Sequence, residues 1–125
     1  MITLPPSVRI YVASAPVDLR KSFDGLSIIV ETVLRRDPLA GHLFCFFNRR
    51  GNQIRILFWD RSGWCIFAKR LARGRFRFTD LVRPGVTHVE VDAIELSMVL
   101  EGIDLTTAKR HRRLDLRAAI SQTGS

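Results

Sequence analysis

The sequence predicts an α+β fold, in which a small antiparallel β-sheet, a meander of about four strands, packs with two helices. Three observations predict it. Apolar segments at residues 43–47, 53–59 and 64–68 are separated by Arg50-Gly51-Asn52 and Arg61-Ser62-Gly63, both rich in turn chemistry. Two other stretches space their apolar residues as helices do. Finally, 125 residues with 46% apolar composition suit one domain that buries a core without a disulfide or structural metal.

The first strand is expected at residues 8–12, where Val8, Ile10 and Val12 alternate with Arg9 and Tyr11 as on a strand with one buried face. A helix follows. Leu19, Phe23, Leu26, Val30 and Val33 recur at steps of four, three, four and three, which makes one apolar stripe. Asp18 is a candidate cap; with Gly25 weakening the first turns, the start lies alternatively near Ser22 or Asp24. Pro38 and Gly41 mark its end. In the meander, the middle strand carries Ile54, Ile56 and Phe58 on a core face and Arg55, Leu57 and Trp59 on a mixed one. The run from Lys69 to Phe78 reads as a turn and a short strand with Phe76 and Phe78 inward, and residues 86–91 add another extended piece. The second helix has sharp borders. Asp92 with Glu95 three positions later forms a capping-box start, Ile94, Leu96, Val99 and Leu100 supply the stripe, and Gly102 the stop. Residues 1–105 are thus expected to form one domain, and residues 106–125 a basic, partly flexible tail.

Charge is the most informative bulk property. The formal balance is +8, and of 20 basic residues only Lys21, Lys69 and Lys109 are lysines. Arginine's planar fork matches phosphate and base edges bidentately. Residues 49–83 hold ten basic side chains against Asp60 and Asp80, whereas residues 84–108 hold five acids and no base. Residues 109–117 are basic again. Clustered arginines interleaved with aromatics are the usual footprint of a nucleic-acid binder, since each neutralised phosphate releases counterions.

Other chemistry is weakly supported. Cys45 and Cys65 fall on outer strands of the meander, which sets them too far apart for a disulfide. The first ten residues do not read as a signal peptide, and no apolar run approaches membrane-spanning length, so a cytoplasmic protein with reduced thiols and no membrane partner is expected. His42, His88 and His111 lack zinc-ligand spacing, and Gly63 and Gly74 stand apart rather than forming a phosphate loop. Asp18, Asp24 and Asp60 do not make the carboxylate cluster that metal-dependent strand transfer requires. No catalytic residue, metal or cofactor is expected.

Pro16-Val17-Asp18-Leu19-Arg20-Lys21 followed by Asp24-Gly25-Leu26 resembles the N-terminal signature of the TnpB accessory-protein family of insertion sequence 66, a group of bacterial transposable elements. The likeness continues through Pro38, Gly41, Leu43-Phe44, Phe46, Asn48, Arg50-Gly51, Ile56-Leu57, Trp59-Asp60, Gly63, Lys69-Arg70-Leu71 and Gly74-Arg75-Phe76, and on to Leu100-Glu101-Gly102-Ile103-Asp104. Cys65 and Ala68 stand where that family often has larger aromatics. The resemblance implies a non-catalytic role supporting transposition, beside a separate, larger transposase that performs strand transfer. The much larger RNA-guided nuclease sharing the name TnpB is not similar.

Two functional readings follow. In the first, Arg49, Arg50, Arg55, Lys69, Arg70, Arg73, Arg75 and Arg77, joined by Arg20 and Lys21, contact DNA phosphates at the element's ends. Trp59 and Trp64 are then either core or platforms for unpaired bases. In the second, the chain is an adaptor without direct DNA binding: its basic face meets an acidic surface on the transposase or a second accessory protein, and Glu90, Glu95 and Glu101 supply an acidic dock.

Overall fold

The computed structural model describes residues 7–101. The chain runs β1 (Ile10–Ala13), α1 (Phe23–Thr32), β2 (Leu43–Phe47), β3 (Gln53–Asp60), β4 (Gly63–Arg70), a 3-10 turn (Phe78–Asp80), β5 (His88–Val91) and α2 (Ala93–Leu100). The α+β class holds. The sheet has five strands in the order β4-β3-β2-β1-β5. β2, β3 and β4 form the expected antiparallel meander, and β5 pairs antiparallel with β1. The β1–β2 pair is parallel. A parallel pair needs a long crossover, which α1 provides. The fifth strand is the extended piece foreseen near residues 86–91.

The sheet is covered on both faces. One face sets Val12, Cys45, Phe47, Ile54 and Ile56 against Leu96 and Val99 of α2, with Phe76 and Leu81 completing the cluster. The other sets Tyr11, Phe44, Phe46 and Leu57 against Leu26 and Val30 of α1, flanked by Leu19 and Leu34. This double cover explains two departures from the sequence reading. β1 begins two residues later than expected and ends one later, and all four of its residues are buried, Tyr11 included. α1 makes its core contact through Leu26 and Val30, one turn apart, while Phe23 and Val33 at its ends are exposed.

Asp18 does not cap α1. The helix begins after Ser22, and the Asp18 carboxylate instead accepts from the Arg20 backbone and guanidinium, closing a tight local turn. Its short side chain satisfies the nearest amide two residues on, a competing use of the same oxygen. The strand expected before Phe78 is absent: residues 71–77 form a loop. Phe76 is buried edge-on against Phe47 while its N–H donates to the Gly51 carbonyl at 2.7 Å, and Phe78 stacks on Phe47 at 4.6 Å. The alternation was therefore produced by packing onto a turn, not by strand pairing. α2 has the expected capping box, with Glu95 N–H donating to Asp92 Oδ1 at 2.7 Å and Asp92 N–H to Glu95 Oε1. Cys45 and Cys65 are both free, with β3 between their strands. Gly102, the 105 boundary, the segment 103–105 and the tail 106–125 lie outside the described residues.

Candidate nucleic-acid interface

Because β1 and β2 run parallel, the segments that follow them emerge at the same end of the sheet. The 14–21 segment after β1 thus meets the 48–52 turn after β2. Val17 N–H donates to the Phe47 carbonyl at 2.8 Å, and Arg55 Nη1 donates to the Lys21 carbonyl at 3.2 Å. The turn holds itself: Asn48 Oδ1 accepts from Gln53 N–H, Asn48 Nδ2 donates to Asn52 Oδ1 at 2.7 Å, and Gly51 takes the left-handed φ of 73°. Glycine adopts that conformation without steric cost.

Between the two segments lies an open cleft of about 450 Å³. Pro16, Val17 and Leu19 line one side, with Asp18 and Arg20. Asn48, Arg49, Arg50, Gln53 and Arg55 line the other. Four arginines and one carboxylate therefore share the lining. That carboxylate is committed to Arg20 at 2.9 Å. The Arg20 side-chain hydrogen bonds, then its backbone N–H, hold the Asp18 carboxyl down to about 2. Arg49 and Arg50 are exposed and make no hydrogen bond or ion pair among the described residues. Arg55 is half-buried with one N–H on the Lys21 carbonyl. A guanidinium carries five N–H donors, so most of its capacity remains.

The other basic candidates divide. A Cβ on Gly51 would sit 3.7 Å from Arg75 Cβ, so the Arg75 stem lies over the turn and extends the cluster. Lys21 belongs to the same segment, its stem against Gly25. Arg70, on β4, stands opposite Gln53 of the cleft lining but does not itself line it. Arg73 is exposed in the 71–77 loop. Lys69 points to the other face of the sheet, where its Nζ donates to the Leu100 carbonyl at 2.8 Å. A cation there complements the carbonyl end of α2. Arg77 is tied to Asp80. Trp59 and Trp64 do not line the cleft; they form an edge-to-face pair with centroids 5.0 Å apart, about 14 Å along β3 from Arg55. Trp64 also packs on the α1-side core.

The acidic residues do not form one free surface. Glu90 pairs with Arg9 at 3.1 Å, Glu95 is occupied in the capping box, and Glu101 stands exposed at the end of α2. A second polar cluster surrounds Tyr11, with His42 and His88 edge-on and the Arg36 guanidinium 4.3 Å above the ring. Burial, then the Arg36 charge, pushes the His88 pKa down. The sequence reading overlooked Pro16, Val17, Leu19, Asn48 and Gln53 as site residues. The missing signal was the parallel β1–β2 pairing, which alone brings those segments together. Among the described residues no group of three or more His, Cys, Asp or Glu is arranged to hold a metal ion, and no helix is long and apolar enough to cross a membrane.

The fold and the cleft define a class: a small, arginine-rich α+β module whose concave surface offers cationic donors. The chain belongs to the TnpB family of insertion sequence 66, described as IS66 Orf2 like protein, which matches residues 8–110. It is therefore an accessory protein of transposition, and that family is not a known catalytic one. Two relatives come from Sinorhizobium fredii (strain NBRC 101917 / NGR234). Uncharacterized protein y4jC is 36% identical over 110 residues, covering 88% of this chain and 92% of the relative. Uncharacterized protein y4hO is 35% identical over 104 residues, covering 83% and 88%. No solved structure matches the chain.

Proposed function

We propose that this protein is a non-catalytic nucleic-acid-binding accessory factor that engages DNA of its own element, through the basic end of the sheet, while the transposase performs the chemistry. One observation carries the reading: Arg20, Arg49, Arg50 and Arg55 converge on one cleft, with Arg75 beside it, and Arg49 and Arg50 have no internal partner among the described residues. The self-bonded turn fixes the backbone that carries Arg49 and Arg50, so two guanidiniums without an internal partner are presented together to phosphate. Arg70 and Lys21 contribute at the margin. Lys69 and Arg77 serve the fold first, given their partners. The adaptor reading has less support, since Glu90 and Glu95 are engaged within the chain. The domain is read as ending near residue 105, with the tail adding charge.

Fluorescence anisotropy tests this. Labelled element-end duplex, scrambled duplex and single strands are titrated with the full chain at several salt concentrations. Salt-dependent binding that falls on replacing Arg49 and Arg50 with Gln is expected. Absence of binding to every probe at low salt overturns the reading and makes the transposase the next ligand to try.

A further inference from the structure

The geometry points to a more specific occupant: we propose that the cleft binds a single unpaired nucleotide, with its phosphate on the arginines and its base against Pro16 and Val17. This rests on the nucleic-acid reading and states what that surface takes.

The cleft has the size of a small-ligand site. Its volume of about 450 Å³ lies within the roughly 300–1,000 Å³ of such pockets. Contact with a duplex backbone requires only an exposed basic surface, because phosphates lie on the outside of the helix. The lining also changes character across the cleft. Pro16 and Val17 offer an apolar wall, and Arg49, Arg50 and Arg55 a cationic one. Gln53 adds the third component. Its side-chain amide is half-buried and has no hydrogen-bond partner among the described residues. An amide carries both a donor and an acceptor, the combination that reads a base edge. Asn48 cannot do this, because both ends of its amide are used within the turn. Apolar wall, free amide and anchored guanidinium together match the three parts of a nucleotide's demand: stacking or packing of the base, an edge contact, and phosphate neutralisation. A base paired within a duplex cannot enter a pocket, so the strand presented must be single or locally opened.

The test uses the full chain labelled with nitrogen-15. It is titrated with the four deoxynucleoside 5′-monophosphates, with the corresponding nucleosides and with inorganic phosphate. Monophosphates are expected to shift the Gln53 side-chain amide and the Arg55 Nε–H, and to bind about tenfold tighter than either nucleoside or phosphate. Gln53→Leu keeps the size and removes the amide. It is expected to weaken monophosphates and single strands several-fold more than it weakens duplex. Arg49→Gln, at an exposed and unpaired position, is expected to weaken every phosphate-bearing ligand. Equal affinity for phosphate and monophosphates, or an unchanged affinity in Gln53→Leu, overturns the nucleotide site. If single strands bind but monophosphates do not, the nucleotide site falls and the nucleic-acid reading stands. If no polynucleotide binds, that reading itself falls.

Discussion

At the residue scale, the cleft balances one carboxylate against four guanidiniums, and Asp18 sets how much of that charge is free. Its carboxyl is held at about 2, against an ordinary 3.8, chiefly by the Arg20 side chain. A depressed carboxylate pKa adds stability that is fully present above the unfolded value and lost as pH falls through the folded one. The pair is consequently intact throughout the neutral range and breaks only between about pH 4 and 2. Both partners are exposed, so the effect on stability is small and salt-screened. The consequence for binding is larger. Asp18→Asn releases Arg20 to a phosphate, so DNA affinity is expected to rise, with the slope of log K against log salt steepening by about 0.7–0.9. The gain should be constant from pH 5 to 8, as anisotropy titrations at fixed ionic strength would show. A gain confined to low pH would assign the effect to another group.

At the element scale, what was legible depended on whether the signal was local. α2 was legible because Asp92 and Glu95 close a capping box within four residues. The meander was legible because short turns join its strands, and β2 was placed correctly to both ends. The parallel β1–β2 pair was not, since its partners are 33 residues apart, as Ile10 and Leu43 show, and nothing near either strand specifies the pairing. β2 does carry a trace of it. Leu43-Phe44-Cys45-Phe46-Phe47 has no polar alternation, which is how a strand covered on both faces reads. The 71–77 loop was misread for the converse reason: Phe76 and Phe78 alternate as a strand does, yet their partners are Gly51 and Phe47. Phe76 therefore braces the turn that presents Arg49 and Arg50. Phe76→Ala is expected to destabilise the fold by about 3–5 kcal/mol. Urea unfolding measures this directly. A change below about 1 kcal/mol would mean that the 71–77 loop does not support the turn.

At the scale of the whole molecule, net charge is a poor guide and its placement a good one. The sequence showed a basic block over residues 49–83, but the fold distributes that block to several places. Arg49 and Arg50 reach the cleft, Arg61 stands at the far turn of β3 and β4, Lys69 crosses to the α2 face, and Arg77 returns to Asp80. The length of β3, about 24 Å, separates the two turns. This separation gives a test that total charge cannot imitate. Two variants are compared, each losing three positive charges: Arg49, Arg50 and Arg75 to Gln, and Arg35, Arg61 and Arg83 to Gln. All six residues are exposed and make no hydrogen bond or ion pair among the described residues, so both variants should fold. If binding reflects only the overall field, the two lose affinity and salt slope alike. If the cleft end carries the contacts, the first loses about two to three units of slope on duplex DNA, at about 0.9 per phosphate released, and the second nearly none. The converse result, with the second variant impaired and the first intact, would move the interface away from the cleft; if Arg61→Gln alone reproduced it, the contacts would lie at the far turn of β3 and β4, beside the Trp59–Trp64 pair.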